Sequence, residues 1–401
     1  MKNLAIIVTH PIQYYIPVYQ KLAKACRLKV FYTCGEQGAA SKYDPDFKKH
    51  IQWDIPLLES YPFEFIENTA KDPGSHHFKG IVNPELIKKI NAFQPDAILV
   101  YGWAYKSHLA VMRHFKGKIP VWFRGDSTLL DQTGAMQEIF RKLFLTWVYQ
   151  HIDIAFYVGK ANKAYFKAFG VKEKQLVFAP HAVDNKRFSI DRSIEALQLR
   201  QKLGISANDT LILFAGKFQE KKDPTLLLQA FISPDRQTNN DKPTTKNEQR
   251  TTTTTHLLFV GNGELEETLK THASVQQNNI HFLDFQNQTQ MPVIYQACDL
   301  FCLPSQGPGE TWGLAVNEAM ASSKAILVSD KVGCAESLIQ EGKNGEIFKS
   351  GSLEDLSIRL RVLLANPQKL LQMGMESKKI IENWSFKQQV ETIAKELDEG
   401  H

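Results

Sequence analysis

The sequence predicts an α/β protein built from two doubly wound, Rossmann-like parallel sheets. Three observations carry this expectation. Short apolar, β-branched runs alternate with amphipathic stretches of ten or more residues, the pattern of βα units. The runs fall into two series, one ending near residue 179 and one beginning at residue 210. Finally, 401 residues with 43% hydrophobic and 23% charged side chains suit two or three globular domains and exclude a disordered or fibrous chain.

The first series of strands comprises LAIIV (4–8), LKVFYT (28–33), AILVY (97–101), VWF (121–123), IAFYV (154–158) and QLVFA (175–179). Helical spacing fills the gaps over 17–26, 84–93 and 160–169, the last closed by Gly170 in the place of a C-cap. The second series comprises TLILFAG (210–216), HLLFVGNG (256–263), IHFLDF (280–285), LFCLPS (300–305), AILVSD (325–330) and EIFKS (346–350). A single sheet of that size would be unusual, so the two series imply two domains. We place the first at 1–188 and the second at 189–380, joined through the polar, turn-rich stretch 182–195, with a crossover helix in 381–401 returning to the first. Residues 233–256 carry almost no apolar side chain and read as a disordered, Thr-rich surface insertion.

The net charge of +5 hides an asymmetry. Residues 1–190 hold 26 Lys and Arg against 16 Asp and Glu, whereas residues 191–401 hold 22 against 27. The split reads either as two differently solvated surfaces or as a first half that meets an anionic partner. Five cysteines, at 26, 34, 298, 302 and 334, form no disulfide framework. Cys298 and Cys302 lack a second Cys/His pair of zinc spacing, so they read as small buried hydrophobes and no metal site is expected. The start MKNLAIIVTHP offers a five-residue apolar run, too short for a signal core or a span, and the expected setting is cytoplasmic.

Three segments carry chemistry. GNGE (261–264), between a strand and a helix, mimics a dinucleotide fingerprint, but Glu266 stands where the third Gly belongs. The simpler reading is a tight turn at a close backbone approach. In SQGPGETWGLAVNEAMASSKAILVSD (305–330) a Gly/Pro-rich loop delivers backbone N–H groups to a helix start near Gly313 and Leu314, a place for phosphate. Glu310 and Glu318 bracket that start, roughly 12 Å apart at helical rise. Taken singly, Glu310 reads as a cap and Glu318 as a partner for a lysine. As a pair, they suit hydroxyls on either side of a diphosphate. In AGKFQEKKDPTLLLQAF (215–231) a strand ends at a basic loop with Lys217 and Lys222, placed for an anion in the crevice of an open sheet.

These residues resemble a retaining GT-B glycosyltransferase of family 4. The family's E-x7-E motif reads Glu310-TWGLAVN-Glu318, and its Arg-x4-Lys phosphate pair reads Lys217-FQEK-Lys222, with Lys in place of Arg. Residues 282–305 resemble the stretch from its base loop to the strand before E-x7-E, and APHAVDNKRF (179–188) resembles its interdomain PNGVD segment. The resemblance implies a GT-B fold, two Rossmann-like domains facing across a cleft. It further implies that Lys217 and Lys222 hold the donor diphosphate with backbone groups at Gly313 and Leu314, that Glu310 meets the donor sugar and Glu318 the ribose, and that the loop at Asp284 lies near the base. Arg124, in FRGDS (123–127), stands where many members carry His, and it is expected to meet the donor diphosphate or an acidic group of substrate. His10 and Gln13 in THPIQYY (9–15) and His108 in YGWAYKSH (101–108) occupy acceptor-side loops, although either histidine equally suits a cap or a core.

The expected function is therefore transfer of a sugar, with retention, from a nucleotide-diphosphate sugar to a glycan or lipid-linked glycan, in bacterial-type cell-surface polysaccharide or lipopolysaccharide biosynthesis. No essential metal, no cofactor beyond the donor co-substrate and no nucleic-acid partner are expected. A nucleotide-sugar epimerase, a phosphorylase or a catalytically silent binding subunit on the same scaffold are the alternatives. The basic first half, with Lys88, Lys89, Arg113, Lys116, Lys118, Arg141 and Lys142 and the nearby Phe140, Phe144 and Trp147, suits an anionic membrane surface or a lipid-diphosphate acceptor. A peripheral place on the inner face of the membrane follows.

Overall fold

Along the first strand, Leu4, Ile6 and Val8 enter one apolar cluster while Ala5 and Ile7 enter another. That period-two split is what a strand covered on both faces must show, and it explains why the strand reads as an unbroken apolar run. In the computed structural model, which describes residues 1–36, 42–44, 49–51, 53–131, 135–233, 254–274 and 278–400, two such sheets form. Most of the Thr-rich insertion 233–256 lies outside the described residues.

The first sheet contains β1 (Asn3–Val8), β2 (Arg27–Tyr32), β3 (Phe63–Phe65), β4 (Ala97–Tyr101), β5 (Val121–Arg124), β6 (Ile154–Tyr157) and β7 (Leu176–Phe178). Its order is β3-β2-β1-β4-β5-β6-β7, and every pairing is parallel. The second contains β8 (Thr210–Ala215), β9 (Thr255–Val260), β10 (Ile280–Leu283), β11 (Leu300–Leu303), β12 (Ala325–Ser329) and β13 (Gly345–Phe348) in the order β10-β9-β8-β11-β12-β13, again parallel. In each sheet the first strand pairs with both the second and the fourth strand of its series. This is the doubly wound arrangement.

Strand β3 has no counterpart among the strands expected from sequence. It is a three-residue edge strand, FEF, whose charged centre hides it from a search for apolar runs. Glu64 is held there by Lys29 at 2.5 Å and Lys89 at 2.8 Å, and these contacts keep its carboxyl below the usual range against the opposing effect of burial. Lys89, one of the cations counted toward an anionic surface, is thus engaged within the fold.

The chain divides into two compact units. Met1–Lys42, Ile51–Val183 and Trp384–His401 form one; Tyr43–His50 and Asp184–Asn383 form the other. The boundary falls at Asp184, whose carboxylate accepts from the Arg187 N–H and opens the short helix Asn185–Ser189. The terminal helix Phe386–Glu399 begins at Ser385, whose hydroxyl accepts from the Gln388 N–H, and it buries Phe386, Val390, Ile393 and Leu397 in the cluster that also holds Ile16, Val18 and Leu22. The first unit therefore completes its core with the last residues of the chain. Ile393 is fully buried, so Ile393→Ala should destabilise that unit by about 2–5 kcal/mol through a cavity. Urea unfolding followed by first-unit tryptophan emission checks this, and an unchanged midpoint would refute the assignment of the helix to that core.

Candidate active site

Ligand crevices in doubly wound sheets open where the chain leaves neighbouring strands in opposite directions, beyond their carboxyl ends. In the second unit that place lies between β8 and β11, which pair directly at Ile212 and Leu213 with Leu300 and Phe301. The loop after β8 tightens into a 3-10 turn at Glu220–Lys222 and then into Asp223, at a φ of 47°. Asp223 caps the helix Pro224–Ile232 by accepting from the Leu226 N–H, and Pro224 occupies the helix position that needs no N–H. The loop after β11 is joined to it by Gln306, whose backbone N–H and side-chain amide donate to the carbonyls of Lys221 (2.9 Å) and Glu220 (2.8 Å).

These loops bring Lys222 and Glu310 together as an ion pair, although 88 residues separate them in sequence. The carboxylate also accepts from the Ser305 hydroxyl at 2.8 Å. The two charged side chains are only 19% and 7% exposed, so the pair is desolvated enough for loss of either partner to be costly. Glu310 is thus the lysine's partner and not a helix cap.

The helix Leu314–Ala321 starts at Gly313, whose φ of 94° favours glycine. A Cβ there would also stand 2.9 Å from Val332 Cγ1. The neighbouring loop presses as closely: the Gly333 N–H donates to the Glu310 carbonyl at 3.1 Å, and a Cβ on Gly333 would meet the Thr311 carbonyl oxygen at 1.8 Å. No side chain caps the helix start and its first turn holds no acid, so the positive end of its dipole lies at Gly313 and Leu314. Glu318 sits deeper in the same helix, nearly buried, accepting from the Tyr295 hydroxyl at 2.9 Å. Its neighbour Asn317 accepts from the Trp312 indole N–H at 2.8 Å. Lys217 stands half-buried two residues beyond β8.

GNGE is explained by the same packing. A Cβ on Gly261 would lie 2.0 Å from the Gly216 carbonyl oxygen, and one on Gly263 would lie 2.5 Å from that of Phe218. The glycines let the β9 loop lie against the loop that carries Lys217. Between them, Asn262 donates to Glu266 at 2.9 Å and to Asp284 at 3.1 Å, while its own carbonyl accepts from the Phe285 N–H at 2.9 Å. Asp284 is exposed at the carboxyl end of β10.

In the first unit the corresponding place, beyond β1, β4 and β5, holds different groups. Arg124 is 2% exposed, and its terminal nitrogens donate to the Ala179 carbonyl at 2.8 Å and the Pro180 carbonyl at 3.1 Å. These two contacts tie the guanidinium to the backbone after β7, while its buried Nε has no hydrogen-bond partner among the described residues. His108, which the sequence leaves between an acceptor-side group and a core histidine, lies in the core. It is fully buried, with Nδ1 directed at the carbonyls of Tyr101 and Gly102 (3.1 and 2.9 Å) and Nε2 2.8 Å from the Thr33 hydroxyl. Burial lowers its pKa to about 4 against the opposing effect of those carbonyls. His10 and Gln13 are half-buried beside β1, and His10 Nδ1 lies 3.0 Å from the Thr9 hydroxyl.

The residue missed from sequence is His181. It is 5% exposed, with Nε2 3.7 Å from the Asp126 carboxylate and its ring stacked near Tyr15 at 6.3 Å. Burial lowers its pKa, Asp126 opposes that effect and Arg124 adds to it. The available signal was its position in APHAVD, where the interdomain pattern has Asn.

Residues 195–380 match the family of glycosyl transferases group 1. The matched stretch lies within the second unit and contains Lys217, Lys222, Glu310 and Glu318. Over 246 residues, 59% of each chain, the protein is 24% identical to the GDP-mannose-dependent monoacylated alpha-(1-6)-phosphatidylinositol monomannoside mannosyltransferase of Corynebacterium glutamicum. Its fold is similar to that of Anabaena HepE in complex with UDP and glucose, with a TM-score of 0.70 and 18% identity over 100% of both chains. It is also similar to WaaG, a glycosyltransferase involved in lipopolysaccharide biosynthesis, with a TM-score of 0.63 and 16% identity over 98% of this chain and 99% of that one. The two-sheet architecture is therefore the GT-B fold. The chain spans from 38% to 61% of the length of the curated relatives it matches.

Two predictions follow from the first-unit residues. Arg124→Ala strands two buried carbonyls and should cost about 2–4 kcal/mol of stability; urea unfolding measures it, and a neutral result would return the guanidinium to ligand binding. His108 is neutral in the fold with a pKa near 4, while the unfolded side chain titrates near 6.5. As pH falls through that window the unfolded chain takes up a proton that the folded chain refuses, so stability drops by an amount on the order of 3 kcal/mol. His108→Gln should lessen the pH slope of the urea midpoint between pH 6.5 and 4; an unchanged slope would refute the assignment.

Proposed function

We propose that the protein transfers a sugar from a nucleotide-diphosphate sugar, with retention at the anomeric carbon, to a glycan or lipid-linked glycan acceptor in bacterial-type cell-surface polysaccharide biosynthesis. The observation that carries the reading is the Lys222–Glu310 pair at the switch point of the second sheet, on loops that also present the uncapped helix start at Gly313. A lysine ammonium has three N–H donors and Glu310 takes one of them. A diphosphate in the crevice would then meet Lys222, Lys217 and the backbone N–H groups of Gly313 and Leu314. Charge accumulates on that diphosphate as the bond to the sugar breaks, and fixed positive groups stabilise it most at that moment.

Glu310, anchored by Lys222 and Ser305, would accept from donor-sugar hydroxyls. Glu318, oriented by Tyr295, would accept from the ribose, and Asp284 would stand near the base. HepE carries UDP in its complex, and the Corynebacterium enzyme is GDP-mannose-dependent. These names support a nucleotide-diphosphate donor and leave both bases as candidates for this chain. His10 and Gln13 are proposed on the acceptor side. The lysines supply the positive charge, so no essential metal is proposed and chelation should leave turnover intact.

Incubation with a panel of nucleotide sugars and lipid-linked glycans, with release of nucleoside diphosphate and the anomeric configuration of the product read together, tests the reading. Lys222→Ala should lower kcat by about 100-fold or more with every accepted donor, with thermal unfolding run alongside because the substitution leaves Glu310 unpaired. Unchanged turnover in that variant would remove the phosphate assignment, and an inverted product would remove retention.

A further inference from the structure

The helix Ala135–Tyr149 has two apolar faces, and the fold uses one. Leu145, Val148 and Tyr149 are at most 4% exposed and belong to the core cluster under the first sheet. On the other face Met136, Ile139, Phe140, Leu143, Phe144 and Trp147 are between 36% and 73% exposed. Their spacing of three, one, three, one and three residues sets them in a single stripe about 17 Å long at helical rise. An exposed apolar face of that continuity marks an interaction surface.

We propose that this stripe docks on an anionic lipid surface. Its shape is the convex side of one helix, suited to lying in an interface plane. Its margins carry what such a plane selects. Trp103 packs edge-on against Phe144 at 5.4 Å, and the Arg113 guanidinium lies 5.4 Å from the Trp147 ring, so tryptophans and a cation border one end. Lys142 is exposed on the same helix, whereas the helix's acid, Glu138, faces Arg141 at 3.5 Å. The excess of cations in residues 1–190, 26 against 16 acids, gives the surrounding charge the sign that phospholipid headgroups attract. A second copy of this chain is the poorer occupant, because a two-fold interface would bring two patches bordered by cations of the same sign together. Among the described residues no helix is long and apolar enough to cross a membrane, so this face would provide peripheral attachment.

The test is flotation of the full chain with vesicles of phosphatidylcholine alone and of phosphatidylcholine mixed with phosphatidylglycerol, at low and high salt. Binding to the anionic vesicles at low salt is expected, with a blue shift of tryptophan emission. It should fall by about tenfold or more on phosphatidylcholine alone, at high salt, or in the Ile139→Ser/Leu143→Ser double variant. Both of those positions are exposed, so the variant should keep the thermal unfolding midpoint and its hydrolysis of a water-soluble donor. Failure of the wild-type chain to bind at low salt overturns the proposal. So does a concentration-dependent dimer that the double variant abolishes without any vesicle binding, since a second copy would then be what covers the stripe. The inference stands apart from sugar transfer, and a negative result for either leaves the other in place.

Discussion

The second unit is organised around the pairing of β8 with β11. A parallel sheet whose first and fourth strands are neighbours sends its chain away from that pair in opposite directions, and backbone groups at the parting find no strand partner. The two loops answer this with contacts to each other: Gln306 reaches the carbonyls of Lys221 and Glu220, and Lys222 reaches Glu310. The Gly313 helix start, the close approach at Gly333 and the glycines of GNGE all follow from packing loops against that junction. A cation, a carboxylate and a helix start lie on the loops at the crevice that this topology opens.

The first unit repeats the topology with different chemistry. Its crevice end holds the Arg124 guanidinium, whose terminal nitrogens donate to carbonyls and which lies among Tyr15, Tyr101, Asp126 and His181. Burial raises the pKa of both tyrosines, so at neutral pH they stay protonated and present hydroxyls. An arginine whose two terminal nitrogens are held by main-chain oxygens acts as a brace. The same guanidinium facing solvent would act on a ligand, and only its surroundings separate the two uses.

Much of the fold was legible because buried parallel strands declare themselves as continuous apolar runs. Ala97–Tyr101 agrees with AILVY residue for residue, and the other long strands differ from their expected bounds by a few terminal positions. Phe63–Phe65 escaped for the opposite reason: an edge strand needs little burial, and its central glutamate is stabilised by two lysines from distant sequence. At the candidate site, spacing could nominate Lys217, Lys222, Glu310 and Glu318 because loop and helix lengths in a βα unit are short enough for local sequence to define them. His108 and Arg124 could not be sorted in that way. A histidine or arginine after a strand looks the same in sequence whether its partners are two carbonyl oxygens or a substrate.

The sequence by itself determined the two parallel sheets, the Gly-rich helix start and the loop lysines, since each rests on periodicity or on the conformational needs of nearby residues. Tertiary structure alone decided that Glu310 meets Lys222, that Arg124 is spent on Ala179 and Pro180, that His181 faces Asp126, and that six apolar side chains of one helix are left uncovered. The physical reason is distance along the chain. Burial, and with it the strength of every charge and hydrogen bond, is set by residues that sequence separates and packing brings together.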